Sequence, residues 1–206
     1  MKGTYQIVAL SEEQIAEAGE ALTRAFMEDP LTVYAIPDPQ ERAEKFIHFF
    51  TDSVRESFVL QGVYVTSGKT EGVAVWMPPD AGGLSTEQAQ EAGEDPLRAL
   101  FGEAAYRRFT DVFSYMGPLH SQHVPGSHWY LALLGVVPGH QGQGIGSALL
   151  TRVLQQADRD GLPCYLETFQ PEAVRLYERH GFRSVADGLE PHSQLPFWAM
   201  KRDPRS

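Results

Sequence analysis

The stretch Gly135-Val136-Val137-Pro138-Gly139-His140-Gln141-Gly142-Gln143-Gly144-Ile145-Gly146-Ser147 constrains the fold of this chain more than any other. Upstream of it, Trp129-Tyr130-Leu131-Ala132-Leu133-Leu134 reads as a buried strand. Downstream, Ile145, Leu149, Val153 and Ala157 recur four residues apart on one helical face. A strand therefore feeds a glycine-rich turn that opens an amphipathic helix. The first N–H groups of such a helix have no intrahelical partner, and its dipole places partial positive charge at that end. Phosphate oxygens are the natural ligand. Glycines at 142, 144 and 146 remove the Cβ atoms that would hold a diphosphate away from the backbone.

Spacing decides which phosphate site this is. A dinucleotide fingerprint needs Gly-x-Gly-x-x-Gly, and Gly142-Gln143-Gly144-Ile145-Gly146 has the wrong last interval. Gly68-Lys69-Thr70 imitates the end of a Walker loop, but Val63 stands where the first glycine belongs and a strand, Val73-Ala74-Val75-Trp76, follows; the segment reads as a hairpin turn. Gln141 to Gly146, after a strand ending in Val-x-Pro, matches Gln/Arg-x-x-Gly-x-Gly/Ala. That pattern resembles the acetyl-CoA pyrophosphate loop of the GCN5-related N-acetyltransferase (GNAT) superfamily. A turn that needs its glycines for packing alone is the alternative.

A second segment extends the resemblance. Cys164-Tyr165-Leu166-Glu167-Thr168 reads as a strand, and Pro171 suits a first helical position. Ala173, Val174, Leu176 and Tyr177 give the helix an apolar face, and Gly181 in His180-Gly181-Phe182 caps it. The stretch is similar to the superfamily's Leu-Glu-Thr-x-Asn…Tyr-Glu-Arg-x-Gly-Phe signature, with Gln170 in place of the asparagine. Shorter matches, Ala25-Phe26-Met27-Glu28-Asp29-Pro30, Val73 to Pro78, Trp129-Tyr130-Leu131 and Phe197-Trp198-Ala199-Met200, look most like puromycin N-acetyltransferase and its relatives. The resemblance implies a mixed α/β fold, with a mostly antiparallel sheet whose splayed central parallel pair is flanked by helices.

With 206 residues, 42% of them hydrophobic, one well-buried domain is expected over residues 1–206. No apolar run reaches the ~20 residues of a membrane span and no signal-peptide pattern opens the chain, so a soluble cytoplasmic protein is expected. The single cysteine, Cys164, excludes an intrachain disulfide framework. A formal charge of −10 would repel phosphate backbones and gives no reason to expect nucleic-acid binding, whereas it favours approach of a cationic amine. No metal is implied: His120, His123 and His128 read as residues of an ordinary Pro-Gly loop, with no cysteine or paired carboxylate beside them.

Along the chain, Tyr5 to Leu10 reads as a strand and Ser11 with Gln14 as a capping box. Ile15, Ala18, Leu22, Ala25 and Phe26 keep helical spacing until Pro30 stops it. After Pro37-Asp38-Pro39, residues Phe46, Ile47, Phe50, Val54 and Phe58 mark a second helix, and Val63–Thr66 with Val73–Met77 a hairpin. Residues 80 to 127 read as a helical insertion, either lid material over a substrate cleft or a helical pair that covers the sheet. A polar loop around Pro191-His192-Ser193 leads to a last strand at about 196–201.

Acetyl transfer to an amine requires a neutral nucleophile, a stabilised oxyanion and a protonated leaving thiolate. The resemblance places the cofactor on Leu134, Gly135, Val136, Gln141, Gly142, Gln143, Gly144, Ile145, Gly146 and Ser147, with a backbone N–H near 134–136 for the oxyanion. It makes Tyr177 the candidate acid, although a helical tyrosine of this kind also packs in cores. Glu28, Asp29 and Glu167 are candidate bases, each also readable as a solvated or capping carboxylate. Tyr34, His120, His123 and His192 are weaker options, as loop residues or substrate contacts. The expected activity is acetyl-CoA-dependent N-acetylation of a small-molecule primary amine through a tetrahedral intermediate. Acetylation of a protein N-terminus or lysine, and a non-catalytic acyl-CoA-binding module, are the rivals; a homodimer is left open.

Overall fold

The computed structural model describes residues 5–79 and 95–205. Its strands are β1 (Ile7–Ala9), β2 (Val63–Thr66), β3 (Gly72–Met77), β4 (Trp129–Val136), β5 (Cys164–Thr168), β6 (Arg183–Leu189) and β7 (Pro196–Arg202). They form one sheet in the order β1-β2-β3-β4-β5-β7-β6. Every neighbouring pair is antiparallel except β4 with β5. The fold is thus mixed α/β with a mostly antiparallel sheet.

The helices are α1 (Ile15–Phe26), α2 (Pro30–Ala35), α3 (Pro39–Val59), α4 (Pro96–Phe101), α5 (Glu103–His123), α6 (Ile145–Asp160) and α7 (Pro171–Arg179). Three of them open on Asp-Pro. The aspartate accepts from the first-turn N–H groups: Asp29 from Leu31 at 2.9 Å, Asp38 from Glu41 at 2.8 Å and Asp95 from Leu97 at 2.9 Å. Proline meanwhile fills a position whose N–H would be unpaired. Pro30, expected to stop the first helix, in fact starts α2, because α1 has already ended at Phe26. The polar loop around Pro191-His192-Ser193 lies between β6 and β7, and β6 itself, residues 183–189, is an edge strand that the sequence reading had not marked.

Helices α1 to α5 cover one face of the sheet. Their core is rich in phenylalanine, with Phe46, Phe50, Phe101 and Phe109 buried and in mutual edge-on or tilted contact. Ile145, Leu149, Leu150 and Val153 of α6 pack on the other face, over Ala74, Trp76, Leu131 and Leu166. Of the expected insertion, residues 80–94 lie outside the described residues. The remainder, α4 and α5, buries Phe101, Phe109, Val112 and Met116, so it completes the core as well as walling a cavity. Arg108 fixes α5 to α2 by donating from Nε and Nη2 to the Ala35 carbonyl at 2.9 and 2.6 Å.

The parallel pairing is short. It joins Trp129, Tyr130 and Leu131 to Cys164, Tyr165 and Leu166, and there it ends. On its other side β4 steps from Leu131 opposite Trp76 to Leu133 opposite Val75, leaving Ala132 as a bulge. A bulge bends its strand, and the bend falls where β4 leaves β5. The sheet splits along this line.

Candidate active site

Two features meet at the split. The first is the glycine turn at its β4 end. Gly139, Gly142 and Gly144 have φ of +88°, +73° and +99°, a region that glycine enters at no steric cost. Gly146 differs: it lies inside α6, where a Cβ would come to 3.4 Å from Leu176, so it serves close packing against α7. Among the described residues, the backbone N–H groups from Gln141 to Ser147 have no protein acceptor. They stand at the amino end of the 16-residue α6, as a bound diphosphate requires. Side chains brace the turn: Gln141 Nε2 donates to the Val136 carbonyl, Gln143 Nε2 to that of Gly139, and Tyr5 Oη to Gln143 Oε1. Leu134 lines the cavity described next. Gly135 instead admits α1, since a Cβ there would sit 2.9 Å from Leu22 and 3.0 Å from Ala25.

The second feature is a cavity of about 150 Å³ between α1, α2, α3, α5 and the diverging strands. Phe26, Phe46, Phe49, Phe50, Phe109 and Phe113 supply its apolar wall, and Asp29, Tyr130, Glu167, Gln170 and Tyr177 its polar groups. Phe113 is 43% exposed, an unusual position for so large an apolar side chain, and its ring makes a tilted contact at 4.8 Å with the buried Phe109.

Glu167 points into this cavity with 10% of its side chain exposed. Burial pushes its carboxyl up to about 7, against the pull of the Tyr130 and Tyr165 hydroxyls. The Tyr165 hydroxyl lies close to that carboxylate without meeting hydrogen-bond geometry. A carboxyl held near neutrality in an apolar cleft has the properties of a general base.

The other candidate carboxylates are placed differently. Asp29 is buried in the cavity wall, but its oxygens are engaged: Oδ1 accepts from Leu31 and Thr32, and Oδ2 from Gln170 Nε2 at 2.7 Å. Burial raises its pKa while these hydrogen bonds lower it. Its geometry is that of a helix cap and tether, with its charge still facing the cavity. Glu28, the neighbour expected to share its wall, does not line the cavity: its side chain is 87% exposed and lies 3.7 Å from Arg42. Consecutive residues in the turn after α1 point in opposite directions. The departure at Gln170 thus has a local role, since its amide spans 141 positions to reach Asp29.

Tyr177 is buried on α7, packs edge-on against Phe182 and lines the cavity. Burial, then the nearby charge of Asp29, raises its phenol well above the usual range, so it keeps its proton at neutral pH. The sequence had put His120 and His128 in a loop. The structure places His120 in the last turn of α5, with Nε2 at 2.7 Å from His128 Nε2 and Nδ1 at 4.0 Å from Glu167. His123 does not line the cavity, while His192 accepts the Tyr34 hydroxyl on its carbonyl and sits on the buried Glu190 carboxylate. Among the described residues no group of histidine, cysteine or carboxylate side chains is arranged to hold a metal ion.

The split in the sheet thus lies between a glycine turn of unpaired N–H groups and the carboxylate of Glu167. Comparison with known proteins gives this arrangement its name. Residues 85–182 match the family described as Acetyltransferase (GNAT) family. An acetyltransferase of Agrobacterium fabrum is 33% identical over 130 residues, covering 58% of this chain and 94% of that protein. The crystal structure titled histone acetyltransferase HPA2 and related acetyltransferase, from Corynebacterium glutamicum, superposes with a TM-score of 0.73 at 24% identity, covering 99% and 98% of the two chains. Arylalkylamine N-acetyltransferase 2 of Aedes aegypti gives a TM-score of 0.70 at 14% identity, covering 98% and 100%. The chain belongs to the GNAT acetyltransferase family.

Proposed function

We propose that this protein transfers an acetyl group from acetyl-CoA to the primary amine of a small molecule carrying one compact aromatic ring. One observation carries the reading: Glu167 is buried beside a phenylalanine-walled cavity of about 150 Å³. A cavity of that size and lining holds a single benzene ring. The arylalkylamine acceptor in the mosquito enzyme's name has the same chemistry, but at 14% identity that likeness carries the fold alone. The finer resemblance to puromycin N-acetyltransferase does not choose the acceptor.

The residues fit the donor. The unpaired N–H groups of Gln141 to Ser147 would hold its diphosphate, and main-chain groups of β4 beyond Leu131 are free on the β5 side for its pantetheine arm and carbonyl. Bound acetyl-CoA supplies an activated thioester. An ammonium entering the cavity is attracted by Asp29 and Glu167, and Glu167 takes its proton to expose the nucleophilic nitrogen. Tyr177 gives its proton to the departing thiolate and recovers one from the nitrogen of the tetrahedral adduct, which sheds its second proton as the amide forms. Its raised pKa prevents early loss of that proton, and the same desolvation makes a thiolate left there more basic. Helices α2, α3 and α5 wall the cavity, which favours a small acceptor over a protein tail needing an open groove.

Thiol release with phenethylamine, a short aliphatic amine and a lysine peptide tests the reading. Phenethylamine is expected to be turned over best; acetyl-CoA binding with no turnover on any amine would point to a non-catalytic module. Phe113→Ala should raise KM for phenethylamine about threefold and leave the aliphatic amine nearly unchanged, since loss of a half-exposed aromatic contact costs on the order of 0.5–1 kcal/mol. Equal KM changes for both amines would remove Phe113 from the acceptor site.

Gly144→Glu tests the donor side. It puts a Cβ at a φ of +99° and a negative charge among the unpaired N–H groups. Its acetyl-CoA Kd, read by calorimetric titration, should rise at least tenfold, or ~1.4 kcal/mol. Unchanged affinity in a folded variant would overturn the assignment of the turn.

A further inference from the structure

Proposed catalysis leaves a proton on Glu167, in a cavity walled by phenylalanine. That proton must reach water before the next turnover. We propose that His120 and His128 form the exit path, a two-imidazole relay from Glu167 to the surface at Gly126. The inference rests on the reading of Glu167 as base.

The geometry fixes the order of the path. His128 Nδ1 lies 2.5 Å from the Gly126 carbonyl, which can only accept, so this nitrogen carries the hydrogen of the neutral ring. His128 Nε2 is then an acceptor, and the contact of 2.7 Å requires His120 Nε2 to donate to it. His120 Nδ1 is left bare, and it is the atom facing Glu167 Oε1, at 4.0 Å. Each lone pair thus points toward the incoming proton. The gap at Glu167 exceeds a hydrogen bond, and contacts of this kind commonly tighten once substrate is bound. His120 is held in place by stacking on Tyr165, with ring centroids 4.3 Å apart, and by a tilted contact with Tyr130 at 4.8 Å.

The proton count closes. The substrate ammonium gives a proton to the Glu167 carboxylate, making the neutral acid. The acid O–H breaks as His120 Nδ1–H forms, while His120 passes its Nε2 proton to His128 Nε2. His128, now cationic and half-buried next to the exposed Gly126, loses one proton to bulk water. One proton leaves for each amine acetylated and no other reactant is consumed; His120 is left protonated at Nδ1, and the rings must turn back to the starting tautomers before the next proton enters. The groups facing this path are Tyr130 from β4, Tyr165 from β5 and His128 from the segment before β4, with Asp29 and Tyr177 elsewhere around the cavity. Burial and the neighbouring His128 hold His120 down at about 4, so it passes a proton on and does not store it.

His120→Phe keeps the stacked ring and deletes both nitrogens; His128→Asn changes the exposed end of the path. In dilute buffer both should lower kcat about tenfold with acetyl-CoA affinity unchanged, and added imidazole should restore turnover by accepting the proton directly. The acid limb of the pH profile, set by Glu167, should stay where it is. Wild-type kcat in both variants, or a loss that imidazole does not relieve, would overturn the relay. A second measurement needs no turnover: long-range ¹H–¹⁵N spectra should show His120 protonated at Nε2 and His128 at Nδ1. The opposite tautomer at His120 would overturn the relay even if amine acetylation were established. Failure of every amine in the wild-type assay, with these tautomers observed, would count against the catalytic reading and not the wire.

Discussion

Glu167→Gln should lower kcat about 10³-fold, within the range for loss of a positioned general base, while acetyl-CoA still binds. In the wild type, activity should rise as pH passes about 7, because the carboxyl becomes a base only as it ionises. The same substitution should make the fold more stable in base. The folded-state pKa, about 7, lies above the ordinary 4.5. Below pH 4.5 both states are protonated and the side chain costs nothing. As pH rises toward 7 the unfolded chain ionises first, and the buried carboxylate comes to cost about 3 kcal/mol. Denaturant melts of the variant and the wild type should therefore coincide near pH 4 and separate by roughly that amount at pH 8. Turnover within a few-fold of wild type, or curves that stay together at pH 8, would exclude Glu167 as the buried base.

Tyr177→Phe deletes one hydroxyl and retains the ring that packs on Phe182. If that hydroxyl protonates the leaving thiolate, kcat should fall on the order of 10²-fold, with KM for the amine and acetyl-CoA affinity changing little. Replacing acetyl-CoA by an acyl donor with a more acidic thiol should recover much of the loss, because such a thiolate leaves without a proton. Near-normal turnover would make Tyr177 a packing residue and pass the acid's role to water.

The motifs legible in the sequence were those written into consecutive residues. The strand, turn and helix around Gly144, and the strand, helix and Gly-Phe pair around Tyr177, declare themselves through periodicity and caps. Both lie where they were expected. Helix α2 was missed because Pro30 reads as a stop, although Asp29-Pro30 is also an N-cap followed by proline, a signal for a start. Glu28 and Asp29 were indistinguishable in one dimension, since only the path of the turn after α1 decides which faces the cavity. The histidine pair was hidden for a related reason. His120 and His128 are eight positions apart, and their contact depends on α5 ending against the start of β4. Periodicity in α3 and α5 marked Phe46, Phe50, Phe109 and Phe113 as apolar. It could not tell a filled core from one that leaves room for a ring.

The shortness of the β4–β5 ladder has a thermodynamic side. Three residue pairs join the wing made of β1 to β4 to the wing made of β5, β7 and β6, so the two halves of the sheet are held by a short ladder where the ligand is proposed to lie. An extended molecule along that seam would stitch the two wings together. Any ligand that binds only the folded chain stabilises it by mass action, about 2.7 kcal/mol at a hundredfold excess over Kd. Amide exchange near the seam would then slow in step with donor concentration. Between turnovers, the wings would be freer to part.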